Sequence, residues 1–158
     1  METIYLAGGC LWGVQAFVKT IPGVVMTEAG RANGYSATLD GPYDGYVECV
    51  KTIFDPSKID VTRLIDDLFE IIDPYSLNQQ GEDVGPKYRT GIYSEQSHHL
   101  IEARQYIQNR ADAEYIMVEV APLTNYIPSA DVHQDHLDKY PNDYCHIPDA
   151  LMRKYRNG

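Results

Sequence analysis

Ile4-Tyr5-Leu6-Ala7-Gly8-Gly9-Cys10-Leu11-Trp12-Gly13-Val14-Gln15-Ala16-Phe17 carries the chain from one hydrophobic pattern to another. Residues 4–7 form a short continuous apolar run, which reads as a buried strand. The pair Gly8-Gly9 ends it. Cys10, Val14, Phe17 and Ile21 then recur at helical spacing, until Pro22-Gly23 stops the pattern. The opening of the chain is therefore a strand handed to a helix across two glycines, with a cysteine at the joint.

Outward from this step the pattern continues. Residues 24–29 read as a strand, and residues 30–45, rich in Gly, Asn, Asp and Pro, as a loop. Residues 46–54 read as a central strand: alternation puts Tyr46, Glu48, Val50 and Phe54 on one face and Val47, Cys49 and Ile53 on the other. Val61, Leu64, Ile65, Leu68, Phe69 and Ile72 mark an amphipathic helix, with Asp60 as its N-cap and Asp73-Pro74 as its end. A polar loop over 76–87, a strand over 88–94 and a helix marked by Leu100, Ala103, Ile107 and Ala111 follow. His98-His99 reads as a solvated helix start. Residues 115–120 read as a strand rich in β-branched residues, and a short helix near 130–140 precedes an irregular tail. The order β-α-β-β-α-β-α-β begins with the six elements of a split βαβ arrangement. The expected fold is α+β: a two-layer sandwich with a ferredoxin-like core, a mixed or antiparallel sheet and an irregular C-terminal tail.

The 158 residues suit one domain of ~150 residues. Thirteen Lys and Arg against 23 Asp and Glu give a net charge of −10, which argues against nucleic acid and against an anionic membrane surface. No stretch approaches the ~20 apolar residues of a membrane span. Met1-Glu2-Thr3 lacks the basic start of a signal peptide. Three cysteines, Cys10, Cys49 and Cys145, are too few for a disulfide framework, so a cytoplasmic protein with reduced thiols is expected. Thirteen tyrosines against three phenylalanines bias the aromatics toward rings that carry a polar tip.

Two residues stand out chemically. Cys10 lies where the first helical N–H groups and the positive end of the helix dipole favour thiolate, the nucleophilic form. Gly8, Gly9 and Gly13 keep its surroundings small, so a substrate can approach. Glu48 lies in an otherwise apolar strand, where desolvation raises a carboxyl pKa and keeps it protonated, the state a general acid needs. The loop Gln79-Gln80-Gly81-Glu82-Asp83-Val84-Gly85 adds dense hydrogen-bonding side chains. His133 and His136 share a helical face, but no cluster completes a four-ligand metal site, so no metal is expected.

Five blocks in order resemble the A-type peptide methionine sulfoxide reductases over nearly the whole chain. They are Gly9-Cys10-Leu11-Trp12-Gly13, Gly45-Tyr46-Val47-Glu48 with Asp55-Pro56, the run from Asn78 to Tyr88-Arg89, His133-Gln134, and Tyr144-Cys145. The resemblance implies reduction of the S epimer of methionine sulfoxide in oxidised proteins or peptides. By that resemblance Cys10 attacks the sulfoxide sulfur, Glu48 protonates the oxygen, Trp12 walls the methyl group, and Asp83 and Tyr88 line the site. A second tyrosine is Tyr35 by spacing, with Tyr43 the rival. Cys145 becomes the resolving cysteine, in a tail over 141–158 of a single catalytic domain over 1–158. Thioredoxin then reduces the disulfide, and no cofactor is needed. Cys49 points away from Glu48 by strand alternation.

The chain departs from the family pattern at Leu11 in place of phenylalanine, at Tyr46 in place of histidine and at Pro86-Lys87 in place of Thr-Gln. No cysteine follows Cys145, so one resolving cysteine is expected. Two other readings of the residues differ in class. One is an acyl transferase or hydrolase pairing Cys10 with a histidine such as His133. The other is an inactive module that binds methionine sulfoxide.

Overall fold

A computed structural model describes residues 1–36, 38–40 and 42–155. Residues 37 and 41 of the expected loop and 156–158 of the expected tail lie outside the described residues.

The opening step forms as its pattern dictates: β1 (Glu2–Gly8) is followed by α1 (Leu11–Val18), with Cys10 as the N-cap residue. Next come β2 (Val24–Ala32), β3 (Val47–Phe54) and α2 (Val61–Ile71). Asp60 caps α2 as expected, its Oδ1 accepting the Arg63 N–H at 2.8 Å. The polar loop contains a two-residue hairpin, β4 (Gln79–Gln80) and β5 (Asp83–Val84), then a 3₁₀ turn over Pro86–Tyr88. β6 (Thr90–Ser94), α3 (Ser97–Gln108), β7 (Glu119–Pro122) and β8 (Tyr126–Pro128) follow. Two short helices, α4 (His136–Lys139) and α5 (Asp149–Met152), lie in the last segment.

Six strands form a mixed sheet in the order β7-β6-β1-β3-β2-β8, antiparallel except for the β6–β7 pair. The fold is thus α+β. Both faces of the sheet are covered, because β3 is central and apolar on both sides. On one face Ile4, Leu6, Val50 and Phe54 pack against Val14 and Phe17 of α1 and Leu64, Ile65 and Leu68 of α2. On the other, Tyr5, Ala7, Val47, Cys49 and Tyr93 form a smaller cluster capped by Leu123 and Tyr126. The alternation in β3 therefore holds: Val50 and Phe54 face the helices, Val47 and Cys49 the opposite side.

Three expectations are corrected. The strand expected at 115–120 starts later, at Glu119. Ala113–Tyr115 is a 3₁₀ turn, and the Met117 N–H donates to Pro74 O at 2.7 Å instead of joining a ladder. The last three residues of β2 fall in the stretch read as loop and β8 in one given no element, and they pair with each other through Gly30↔Pro128, Arg31↔Ile127 and Ala32↔Tyr126. His99 is fully buried and not solvated: Ser94 Oγ lies 2.7 Å from its Nδ1 and Glu2 Oε1 lies 2.6 Å from its Nε2. Among the described residues, no helix is long and apolar enough to cross a membrane.

The final segment is fastened at its far end. Asp67 of α2 is fully buried and is met by Lys154 Nζ at 2.9 Å and Tyr155 Oη at 2.8 Å. Apolar residues of the segment, Ile147, Leu151 and Met152, join the core. The segment is therefore anchored on both sides of α5.

Candidate active site

Gly9 turns the chain with φ +95°, and a Cβ there would strike Gln80 Cβ at 2.7 Å, so glycine is required on conformation and on space. Gln80 is held by both ends of its amide, accepting from the Asp73 N–H at 2.8 Å and donating to Asp73 O at 2.9 Å. This latch fixes the β4–β5 hairpin to the chain just after α2, with Gln80 against Gly9. The turn leaves Cys10 in extended conformation at the helix start, half-buried.

The expected thiolate is not what this environment favours. Burial pushes the Cys10 thiol up to about 12, outweighing the Trp12 backbone N–H that favours the anion, while Glu48 and Asp83 add repulsion. The helix terminus supplies a donor, but desolvation wins.

Glu48, on the helix-facing side of β3, behaves as its position predicts. Burial raises its carboxyl to about 7, against the pull of the Lys87 ammonium and the Leu11 backbone N–H. Asp83 on β5 is raised by burial, as is the Tyr88 phenol. Lys87 Nζ lies 5.0 Å from the Tyr88 ring centroid. Among the described residues, six buried side-chain polar atoms have no hydrogen-bond partner. Four of them are Glu48 Oε2, Asp83 Oδ2 and both ring nitrogens of His146. Orphaned polar atoms concentrated around one thiol mark where a polar ligand binds.

Trp12 is clamped by the last segment. His136 stacks on the indole at 3.6 Å between ring centroids, and the indole N–H donates to His133 Nδ1 at 3.2 Å. Two glutamines, Gln15 fully buried and Gln134 half-buried, position this clamp. Gln15 accepts the Asp135 N–H at 2.9 Å, and Gln134 bonds both the N–H and the C=O of Ala29 at 2.8 Å, as a strand partner would. His133 is thereby committed to Trp12 and does not form the Cys10–His133 pair an acyl transferase needs. Leu11 is itself buried, with only 4% of its surface exposed.

The three cysteines separate. Cys49 is buried on the opposite face of the sheet. Cys145 comes against the start of α1: a Cβ on Gly13 would meet its Sγ at 2.6 Å. A Gly13→Ala variant is therefore expected to displace Cys145 and slow its reaction with Cys10. Quantifying the Cys10–Cys145 disulfide after a single turnover checks this, and a rate equal to the parent's would refute it.

Of the two rival tyrosines, Tyr35 is 93% exposed. Tyr43 donates to Tyr46 O at 2.8 Å and borders, with Tyr46 and Lys87, a cleft of about 260 Å³ beside the site. His146 had no role in the sequence reading. Its edge, Cε1, lies 3.1 Å from the Cβ position of Gly9, and its one signal in the sequence is adjacency to Cys145.

The model of the family described as "Peptide methionine sulfoxide reductase" matches residues 2–157. The chain belongs to this family. The peptide methionine sulfoxide reductase MsrA of Clostridium acetobutylicum is 40% identical over 165 residues, covering 98% of this chain and all of the relative. Among solved structures, methionine sulfoxide reductase A of Corynebacterium diphtheriae superposes with a TM-score of 0.82 at 29% identity, covering 94% of this chain and 83% of that one. Mxr1 of Saccharomyces cerevisiae in reduced form does so at 0.83 and 27%, covering 91% and 88%. Mxr1 has also been solved in complex with Trx2, in a state that shares the fold at a TM-score of 0.62 and 20% identity over 82% of this chain and 81% of that one. As a member of the peptide methionine sulfoxide reductases, this enzyme reduces methionine sulfoxide.

Proposed function

We propose that Cys10, Glu48, Asp83, Tyr88 and Cys145 carry this reduction in two thiol steps, on the S epimer, in oxidised peptides and proteins. The observation that carries the assignment is the raised carboxyl of Glu48, with its orphaned oxygen, beside a thiol that does not ionise alone. In the first step neutral Glu48 gives its proton to the sulfoxide oxygen, which makes the sulfur electrophilic. Cys10 attacks that sulfur, and its thiol proton replaces the one lost by Glu48. The oxygen ends on Cys10 as a sulfenic acid, and methionine leaves. Tyr88 donates a hydrogen bond to the same oxygen, Asp83, whose carboxyl burial raises, lines the site beside it, and Trp12 walls the methyl group. In the second step Cys145 displaces the hydroxyl as water, forming the Cys10–Cys145 disulfide.

Thioredoxin then reduces the disulfide by thiol–disulfide exchange. The complex of the fold relative Mxr1 with Trx2 supports this partner. Three free cysteines in the described structure suit a reducing, cytoplasmic setting. The catalytic domain spans 1–158, with 141–158 as the resolving tail. The antiparallel order β6-β1-β3-β2, with α1 and α2 as crossovers, supports the ferredoxin-like reading of the core in a two-layer sandwich.

The test is mass spectrometry of Cys10 and Cys145 after one equivalent of a methionine-sulfoxide peptide of known sulfur chirality. The S epimer should yield methionine and the Cys10–Cys145 disulfide. A disulfide through Cys49, or turnover of the R epimer alone, would defeat the assignment. Cys145→Ser is expected to lose thioredoxin-driven cycling yet keep turnover with a small dithiol. Full-rate turnover with thioredoxin in that variant would place the resolving role elsewhere.

A further inference from the structure

The start of β1 and the first turn of α3 meet at a cluster that the reduction does not use. Glu2 Oε1 lies 3.0 Å from His98 Nε2 and 2.6 Å from His99 Nε2. One oxygen and one nitrogen from each ring lie within 4.8 Å of one another. A single carboxylate thus faces two imidazoles, and the fold joins them across 96 positions of sequence. His99 is fully buried, and Phe54 flanks its ring at 5.9 Å between centroids. Its second nitrogen, Nδ1, lies 2.7 Å from Ser94 Oγ, itself fully buried at the end of β6. Ser94 Oγ accepts the Gln96 N–H at 3.0 Å and keeps a second lone pair for an Nδ1–H. At metal sites such an outer partner fixes a histidine with its other nitrogen bare. In this tautomer the bare Nε2 points at a carboxylate oxygen, and a positive centre must lie between them. A proton bridges one such pair, whereas a metal ion serves all three donors at once.

We propose that Glu2, His98 and His99 bind a divalent metal ion of the zinc class. Two imidazoles and a carboxylate suit such borderline ions, whereas magnesium and calcium take oxygen ligands. Bonds of ~2.0–2.2 Å set tetrahedral ligand atoms ~3.3 Å apart, so the donors need to open by less than ~1 Å. The side chains of His98 and Glu2 are 56% and 26% exposed and supply that movement, while His99 stays fixed. Their exposure also leaves the fourth position to water. The Glu2 carboxylate offsets the positive end of α3, which alone opposes a cation. Glu2 opens β1 and Gly8 closes it beside the turn to Cys10, so the ion sits at the end of the strand remote from the thiol. Its role there is to fasten the start of β1 to α3.

The experiment uses tag-free, full-length protein carrying Cys10→Ser and Cys145→Ser, so that those two thiols cannot hold the metal. Titration calorimetry with zinc chloride should give one ion per chain, and the melting temperature should rise with zinc concentration. Cobalt(II) should bind with a visible spectrum that lacks a thiolate charge-transfer band; such a band would move the ion to Cys49 and overturn the proposal. His98→Gln and Glu2→Gln change partly exposed side chains. Each should weaken zinc binding by more than ~10²-fold, beyond the effect of losing a supporting partner. Absence of zinc binding, or parent-like binding in both variants, would overturn the proposal, as would displacement of zinc by an equal concentration of magnesium. In the enzyme with its cysteines intact, His98→Gln should leave methionine-sulfoxide reduction unchanged. A loss there would tie the cluster to catalysis and remove its fastening role.

Discussion

Cys10→Ser is expected to abolish methionine production, with loss of ~10⁴-fold or more, as when a nucleophile is removed from a catalytic unit. The reasoning goes beyond the loss of a sulfur. The site does not hold a pre-ionised thiolate, since burial keeps the Cys10 proton in place up to about 12. In the proposed mechanism attack is therefore coupled to proton movement at Glu48, and a serine hydroxyl, far less acidic and far less nucleophilic, cannot enter that exchange. Binding of the sulfoxide peptide should survive, because the orphaned atoms of Glu48 and Asp83 remain. Incubation with excess methionine-sulfoxide peptide and quantification of methionine by mass spectrometry checks this; detectable multiple turnover would remove Cys10 from its role.

Glu48→Gln carries the second large effect, a slowing of ~10²- to 10⁴-fold in the reductive step, the range for losing a positioned acid. The pH profile gives it a sign. The carboxyl titrates at about 7 in the folded protein instead of at 4.5, so the active protonated form is half lost at that pH and dominates below it. The parent rate should fall ~tenfold per pH unit above that point, and the glutamine variant should lack this limb. A rate that rises through pH 7 would contradict the acid role. The parent's stability should also fall as pH rises. A carboxyl whose folded pKa is raised contributes its stability at low pH and loses it between 4.5 and about 7. Above 7 the parent carries the cost of a buried carboxylate, ~3 kcal/mol by the size of the shift. Glu48→Gln should therefore unfold at higher denaturant at pH 8 and match the parent near pH 4, trading activity for stability.

The core of the fold was legible because its signals are local. The glycine step after residue 7, the two-sided apolar run of β3 and the capped stripe of α2 each follow from adjacent residues. β8 was not, since Tyr126–Pro128 gains strand geometry only by pairing with β2 across nearly a hundred residues. The site divides similarly. Cys10 and Glu48 are visible as polar intruders in apolar patterns, and Cys49 was correctly turned away by alternation. Gln15, Gln80 and His146 were silent, because a glutamine that latches a hairpin looks like any glutamine until the hairpin is folded. The direction of the Cys10 shift was misread for the same reason: helix position is local, and the burial that outweighs it comes from the hairpin and the final segment. The tyrosine surplus also resolves only in three dimensions. Tyr93 donates to Glu119 at 2.7 Å, Tyr126 to Glu28 at 2.8 Å and Tyr155 to Asp67 at 2.8 Å, while Tyr75 and Tyr106 bond Asp112 and Asp66. In a chain with few cations for its carboxylates, neutral phenols take their place as donors.

The fastening of residues 154–155 to Asp67 sets a leash on Cys145. Only eight residues separate that anchor from Cys145, and Tyr144 holds the other side on the hairpin. A thiol on so short a tether meets Cys10 at an effective concentration in the millimolar range or higher. Peroxide in solution must compete with that local supply for the sulfenic acid. In the proposed cycle, where Cys145 resolves the sulfenic acid, the same anchor guards Cys10 against irreversible sulfinic damage.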